Sequence, residues 1–438
     1  MIEIFNIAIL IASMIWICLF PFNQKNLIYN QNLLEFNLFE KISINLAILL
    51  NILLLLSFYK FNLHYIFFIF LFLPVLNIFN FNKKNNLFSF LILFFLTFIL
   101  SIHIGSNLKL EWDAQALWIY RTINFYDGNS FENLSNIPGV ISYPHLGTYL
   151  WAFFWKNSLI NHEYTGRIFY IFSYCLSIIL IVSQTKKDVL IKLILIFIFI
   201  FFSLDFYLLS GYQEYLVFSY LIFIFYFFQK YCEKKNTYFL IPIILFSNAI
   251  IWIKNEASVF LLFFIIYLFF YNLFLKKKII KESILFTVSI LVLIIFKNYI
   301  FFIYFGEINK GWHDYKINSI SNIFDIKYFM DRVPFILTHL VIATIKNKIY
   351  ILFFLMIAYA FYLKKINISK TLPYIIFYLA NISLVFLIYF LTNSPDWKTY
   401  ISTTADRLLF QTSGIYLLFI YDILCKDFNI KKYDKNFI

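Results

Sequence analysis

Long apolar segments separated by short polar connections follow one another along nearly the whole chain. The first is Ile4–Phe20, and residues 87–105 form another that ends at a polar loop. A helix needs roughly 17–25 apolar residues to cross a bilayer, so each such segment predicts a transmembrane helix. The apolar runs are continuous rather than alternating with polar positions, which disfavours a membrane β-barrel. The pattern therefore predicts an all-α, polytopic integral membrane protein.

The composition supports the same class. Of the 438 residues, 62% are hydrophobic and only 13% are charged, and the mean hydropathy is +0.79. A soluble domain has too little interior to hide that much apolar surface. The 4 cysteines lie far apart, without a CxxC pair or neighbouring histidines. They indicate neither a disulfide framework nor a zinc site.

Positive charge is concentrated in the connections between the apolar segments. The formal net charge is +13, and the basic clusters are Lys83-Lys84, Lys186-Lys187, Lys234-Lys235, Lys276-Lys277-Lys278, Lys364-Lys365 and the tail at 426–438. This distribution is the positive-inside pattern of membrane proteins and gives no reason to expect nucleic acid as a partner. Placing the clusters in the cytoplasm gives about 13 transmembrane helices.

The same topology places the longer polar loops on the external face. These loops are residues 106–145, 306–333 and 393–406, together with the shorter segments Gly211–Glu214 and Trp252–Glu256. Two further segments, Leu146–Phe154 and Pro334–Ile345, are short for a crossing and are predicted to be external helices in the membrane interface. The predicted organisation is N-terminal transmembrane helices at 1–86, a membrane module at 87–425 and a basic cytoplasmic tail at 426–438.

Asp113 is the most informative polar residue of the first external loop, because it lies between Trp112 and Trp118 at a predicted membrane surface. On a helix that begins near Trp112, Asp113 would share a face with Leu117 and Arg121. The alternative interpretation is an acid that caps the helix N-terminus or lies in its first turn. The two tryptophans also suit the role of interfacial anchors.

Further positions carry polar chemistry. Tyr143-Pro144 predicts a turn followed by the start of a helix. His145 is a candidate ligand or proton carrier, and the alternative is that it has neither role, as is usual for a single interfacial histidine. Glu214 lies between two apolar segments and is either a site residue or a solvated loop acid. A local salt bridge is one explanation of Lys254-Asn255-Glu256, and Arg407 could simply extend to the membrane surface.

Taken together and in order, these motifs resemble bacterial integral membrane glycosyltransferases of the GT-C superfamily. The motifs are Trp112-Asp113-Ala114 with Trp118, Tyr143-Pro144 with Trp151, Gly211-Tyr212 with Glu214, Trp252–Glu256, and Asp396-Trp397 with Asp406–Leu409. The resemblance covers residues 87–425 and extends to the dolichyl-phosphate-mannose protein mannosyltransferases and the aminoarabinose transferases of lipid A. The chain differs in that its key loop follows about the fourth crossing instead of the first, and in having Ala257 where related sequences often have glycine.

The resemblance implies a GT-C-like fold and the inverting transfer of a sugar from a polyprenyl-phosphate donor to an acceptor hydroxyl, at the external face of a bacterial inner membrane. Asp113 would be the general base. Glu214 would orient the acceptor or, with Asp113, hold an optional divalent ion, Mg²⁺ or Mn²⁺. Lys254 and Arg407 would stabilise the departing phosphate. The other implied substrate-binding residues are Tyr143, His145, Trp118, Arg121 and Glu256. The acceptor is a glycan, a lipid or a protein, and membrane lipids are further partners.

Two other classes of membrane enzyme or carrier remain open. A polysaccharide polymerase or O-antigen ligase uses the same lipid carrier, but its external loops are usually rich in arginine. This chain has only Arg121, Arg167, Arg332 and Arg407. A transporter or flippase of lipid-linked saccharides usually has polar or Gly/Pro-broken helices in two repeated halves, and the sequence has no such repeat. Glycosyltransferase is therefore the preferred interpretation.

Overall fold

The chain is helical throughout the parts that the computed structural model describes, namely residues 2–19, 36–75, 83–137, 143–185, 189–275, 280–306, 325–363, 368–392 and 396–427. The α-helices of these ranges are Ile2–Ile17 (α1), Leu38–Leu56 (α2), Leu63–Phe72 (α3), Lys83–Ser106 (α4), Ile119–Tyr126 (α5), Leu146–Lys156 (α6), Tyr164–Val182 (α7), Val189–Ser203 (α8), Glu214–Lys234 (α9), Leu240–Ile251 (α10), Glu256–Leu275 (α11), Ile280–Phe305 (α12), Ile326–Lys346 (α13), Lys348–Tyr362 (α14), Ile368–Leu391 (α15) and Trp397–Asp422 (α16). Short 3₁₀ or π turns occur at Ala114–Trp118, Phe131–Asn136, Tyr207–Leu209, Thr237–Phe239 and Ile423–Asp427. No strand occurs among the described residues, so the all-α prediction is confirmed.

Nine helices within the described ranges are long and apolar enough to cross a membrane. They are α2, α7, α9, α12 and α13, most of α4, α11 and α15, and the stretch Trp397–Cys425 that contains α16. In hydrocarbon every backbone N–H and C=O must find its partner within the chain, which continuous helices achieve. The chain is a polytopic helical membrane protein, as predicted. The number of about 13 crossings stays a prediction.

The chain divides into two compact units. The first contains residues 1–184, 205–255 and 296–308, and the second contains residues 185–204, 256–295 and 309–438. Helix α7 forms the centre of the first unit, because all of its residues are buried and it packs against α4, α6 and α9. Helix α2 packs on α6 and α10. The N-terminal helices therefore belong to the same compact unit as the first predicted external loop.

In the second unit, α16 packs against α13, α14 and α15, and α11 packs against α15. Polar groups join these helices inside their apolar segments. Asn381 Nδ2 donates to Thr412 Oγ1 (2.6 Å), and the Tyr350 hydroxyl donates to the backbone oxygen of Leu409 (2.8 Å). Hydrogen bonds between membrane helices contribute about 1 kcal/mol each. They help to fix which helix faces meet.

Two segments are predicted to be short interfacial helices, and the structure differs from this prediction in a different way for each. Leu146–Phe154 forms most of α6, which has the predicted length but is buried between α5 and α7 instead of lying on a surface. Pro334–Ile345 is part of the longer α13, so the prediction of a short helix there is wrong. Helix α13 begins early because Asp325 caps it by accepting a bond from the Lys327 N–H (2.9 Å). The loop predicted at 306–333 lies mostly outside the described residues.

Candidate functional site

The first predicted external loop is anchored at Glu111, whose backbone N–H donates to the backbone oxygen of Ser210 (2.9 Å). The chain becomes helical at Trp112 and makes a single π turn over Ala114–Trp118. Asp113 is half-buried at the start of this turn and makes no side-chain capping bond there, which disfavours the cap interpretation. Single π turns are rare and often occur at functional sites.

Gly211 allows the Asp113 loop to lie directly against the segment that leads to Glu214. Its φ of +97° is one that residues with side chains rarely adopt. A Cβ atom at this position would also lie 2.6 Å from the Ala114 Cβ and 2.9 Å from the Leu110 Cδ2. Only glycine fits this close approach. The contact brings together two motifs that are far apart in the sequence.

Glu214 and Lys254 form a buried ion pair. Lys254 Nζ lies 2.8 Å from Glu214 Oε1, and their side chains are 6% and 0% exposed. The interpretation of Glu214 as a solvated loop acid is therefore wrong, and the partner of Lys254 is an acid from a distant segment rather than a local one. Burying two charges costs several kcal/mol per ion before their attraction is counted, so such a pair in a membrane protein marks a candidate functional site.

The start of α6 connects the first loop to the Lys254 segment. The backbone N–H of Leu146 donates to the backbone oxygen of Trp252 (2.8 Å). Arg121 Nη2 donates to the backbone oxygen of Tyr143 (2.6 Å), whose ring meets the Trp118 ring edge-on at 5.4 Å. Burial lowers the pKa of Arg121 to about 9, which leaves it charged at neutral pH. The helix start predicted after Tyr143-Pro144 is confirmed, since the chain bends at Tyr143 and α6 begins at Leu146.

His145 is fully buried at the first turn of α6, with its Nε2 2.6 Å from the Ser57 Oγ. The Ser57 hydroxyl donates its single proton to the backbone oxygen of Leu54 (2.6 Å), so the Nε2–H of His145 is the donor to Ser57. The centroid of the His145 ring lies 4.5 Å from that of the Phe131 ring and 5.4 Å from that of the Trp252 ring. These contacts hold α6 against the end of α2. The proton-carrier and ligand roles of His145 stay predictions.

Glu256 and Arg407 belong to the second compact unit. Glu256 is half-buried as the first residue of α11. Arg407 is buried in α16, and its backbone N–H donates to the Asp406 carboxylate (2.9 Å). Their predicted contacts with substrate stay predictions.

The optional divalent ion held by Asp113 and Glu214 stays a prediction. Within the described ranges, no group of three or more His, Cys, Asp or Glu side chains could hold a metal ion. The carboxylate of Glu214 already bonds to the ammonium of Lys254, which competes with any metal cation for the same oxygens. No step proposed below uses a metal.

Two buried cations of the first unit were not predicted as site residues. Lys297 lies in α12, is 4% exposed, and donates from Nζ to Asn255 Oδ1 (2.7 Å). Arg167 lies in α7 and is 1% exposed. The signal that could have found them is the isolated cation inside an apolar segment, since its insertion costs roughly 2.5–3.5 kcal/mol.

Replacing Lys254 with methionine should destabilise the protein by about 3–5 kcal/mol, because the Glu214 carboxylate is then buried without its cation. The double variant Glu214→Leu with Lys254→Met should recover most of that loss, because no buried charge remains. Unfolding of the purified protein in detergent measures both effects. The matched control is Lys109→Met, which breaks a 2.7 Å pair with Glu111 whose lysine is 65% exposed. It should cost little stability, because pairs at the solvent-exposed surface contribute little, and an equal loss in Lys254→Met would contradict the prediction.

The stability of the protein should fall as the pH drops below about 6.5. Burial, and then the charge of Arg121, hold the pKa of His145 well below its usual value of 6.5. The unfolded chain takes up a proton below that pH while the folded chain does not, so up to about 1.4 kcal/mol is lost per pH unit. His145→Gln should flatten this pH dependence in thermal unfolding experiments. The control His162→Gln, at an exposed histidine, should leave the slope as in wild type, and equal slopes in all three proteins would disprove the assignment.

Comparisons with known proteins find no match to this chain, whether the search is against protein-family models, curated proteins or solved structures. The resemblance to the GT-C superfamily therefore rests on the sequence motifs alone. The geometry of the first unit brings four of those motifs together: the Asp113 loop, the start of α6, the Gly211–Glu214 segment and the Trp252–Lys254 segment.

Proposed function

We propose that this protein is a membrane glycosyltransferase that transfers a sugar from a polyprenyl-phosphate donor to an acceptor hydroxyl. The observation that carries the proposal is the packing of the half-buried Asp113 loop, through Gly211, against the segment of the buried Glu214–Lys254 pair. Membrane proteins rarely bury ionisable side chains without a functional reason. The two segments that meet here carry a half-buried acid, Asp113, and the fixed cation of the ion pair, Lys254.

The reaction requires one proton transfer and one displacement. The acceptor oxygen attacks the anomeric carbon opposite the phosphate, the bond from that carbon to the phosphate oxygen breaks, and the phosphate leaves with the electron pair. The acceptor proton passes to the Asp113 carboxylate, which acts as general base. Attack from the opposite side inverts the anomeric centre without a covalent intermediate.

Lys254 is the cation that we assign to the departing phosphate. Its Nζ has three N–H donors, and the Glu214 carboxylate accepts one of them at 2.8 Å. The pair thereby fixes the ammonium before substrate binds. A charge that is oriented in advance stabilises developing negative charge without reorganisation during the reaction. The phosphate contact that the resemblance implies for Arg407 stays a prediction; arginine can bind phosphate through two parallel hydrogen bonds.

The proposed location is the external face of a bacterial inner membrane. The lysine clusters between spans support this orientation, because positive loops stay in the cytoplasm. A polyprenyl donor carries its sugar at the membrane surface and can enter between helices from the lipid. The proposed acceptor is a glycan, a lipid or a protein that presents a hydroxyl on the same side.

Asp113→Asn should lower the rate of sugar transfer by about 10²–10⁴-fold, because the amide cannot accept the acceptor proton. The assay measures transfer of labelled sugar from a panel of polyprenyl-phosphate sugars to membrane acceptors, with purified protein in liposomes. The matched control is Asp127→Asn, at an exposed acid in the same loop, which should retain full turnover. Retained turnover in Asp113→Asn would rule out the base role, and transbilayer movement of the donor without a covalent product would favour a transporter.

Arg407→Ala should lower kcat/KM for the lipid donor. The effect on kcat should exceed that on KM if the contact forms mainly in the transition state. Arg407→Lys should lose less than the alanine variant, because it keeps the charge but not the two-bond geometry. Steady-state kinetics over a range of donor concentrations give both values. Donor kinetics equal to wild type in both variants would disprove the predicted phosphate contact of Arg407.

A further inference from the structure

Arg167, at the N-terminal end of α7, contacts both chain segments that carry the candidate acids. Its guanidinium is bound by the carboxylate of Glu163, with Nε 3.1 Å from Oε2 and Nη2 2.8 Å from Oε1. The two parallel bonds fix the plane and direction of the guanidinium. Arg167 is 1% exposed. The proposed reaction gives it no chemical role.

The remaining guanidinium nitrogen of Arg167 is shared between two segments. Nη1 donates to the backbone oxygens of Lys109 and Leu209, each at 3.4 Å. Lys109 begins the segment that leads to Asp113, and Leu209 begins the segment that leads to Glu214. Each contact is long and therefore weak by itself. Their importance is that one rigid group holds both backbones at the same place.

The Arg167 contacts with Lys109 and Leu209 form one end of a junction between the segment that leads to Asp113 and the segment that leads to Glu214. Two further contacts extend this junction towards the acids. The Glu111 N–H donates to the Ser210 backbone oxygen (2.9 Å). The next contact places Gly211 against Ala114, where no space remains for a Cβ atom. The Arg167 bonds, the Glu111–Ser210 bond and the Gly211 contact thus follow one another along the same pair of segments. Asp113 lies within this junction and Glu214 directly after it.

The Glu163 side of the junction is anchored on α6. The indole N–H of Trp151 donates to the backbone oxygen of Glu163 (2.8 Å), and the Arg167 guanidinium lies 6.0 Å from the Trp151 ring centroid. Gly166 lies so close to the Trp151 backbone that a side chain there would clash. Helices α6 and α7 therefore form a rigid support for the Arg167–Glu163 pair.

We infer that Arg167 is a positioning residue, which sets the separation between the Asp113 loop and the start of α9 at Glu214. Lysine cannot replace it, because a single ammonium cannot bind a carboxylate through two parallel bonds and also reach two carbonyl oxygens. The catalytic consequence rests on the proposed function. The structural part does not, because it concerns only how the two segments are held together.

The first measurement is backbone amide hydrogen exchange, followed by mass spectrometry, in wild type and Arg167→Lys. Peptides covering 107–118 and 205–214 should exchange at least about tenfold faster in the variant, which corresponds to about 1.4 kcal/mol. Peptides of α10 should exchange as in wild type. The matched control is Arg332→Lys, since Arg332 is also a buried arginine that donates to backbone oxygens but lies in the second unit. Arg332→Lys should leave the exchange rates of the 107–118 and 205–214 peptides as in wild type.

The second measurement is sugar transfer by the same variants. Arg167→Lys should lower kcat by about 10²-fold with donor KM within about threefold, because small misplacements of catalytic groups affect the chemical step most. If Arg167→Lys does not fold, Glu163→Gln weakens the same junction while keeping the arginine, and should give smaller effects of the same kind.

The outcomes separate the two proposals. Unchanged exchange in both loop peptides overturns the inference. Faster exchange with unchanged kcat supports its structural part and overturns its catalytic consequence. If wild type transfers no sugar from any donor, the proposed function fails. The exchange data then decide by themselves whether Arg167 joins the two segments.

Discussion

A membrane protein must supply an internal partner for every charge that it buries, and the first unit is organised by this requirement. Apolar side chains discriminate poorly between packing against a neighbouring helix and packing against lipid, because both surroundings are apolar. An unpaired buried charge costs several kcal/mol. The Glu214–Lys254 pair therefore contributes more to the choice of which segments meet than a comparable area of apolar contact. Its partners come from two segments that the chain brings together only on folding.

Glycine determines where backbones approach closely in this chain. Aromatic residues make up 23% of the sequence, and there are 9 glycines. At Gly211 the missing side chain admits Ala114 of the first loop, and at Gly147 it admits the side chain of Gln213. Both contacts lie just before Glu214 in the chain. The ion pair fixes the identity of the neighbouring segments, and the glycines leave room for their close contact.

The sequence is sufficient to predict the class of fold because the bilayer imposes a simple rule of length and hydropathy on each helix. It also predicts the turn at Tyr143-Pro144, since proline acts on its immediate neighbours. The burial of Glu214 has no local signal, because its partner Lys254 lies on another segment. The length of α13 depends on a cap at Asp325, and a hydropathy pattern does not distinguish a capped start from a loop. Local rules thus predict elements, whereas pairings between distant polar residues require the fold.

Under the proposed function, the different surroundings of the two acids suit sugar transfer better than hydrolysis. Glycosidases typically need two carboxylates that both face the sugar, one as acid and one as base or nucleophile. Glu214 is fully buried and bound to Lys254, so it is poorly placed to exchange protons with a substrate. Asp113 is half-buried and can do so. A donor with phosphate as its leaving group needs only one base and one cation, because the phosphate departs without being protonated. In the proposed reaction the half-buried Asp113 supplies the base and the fixed ion pair supplies the cation, unlike the two equivalent carboxylates of a hydrolase.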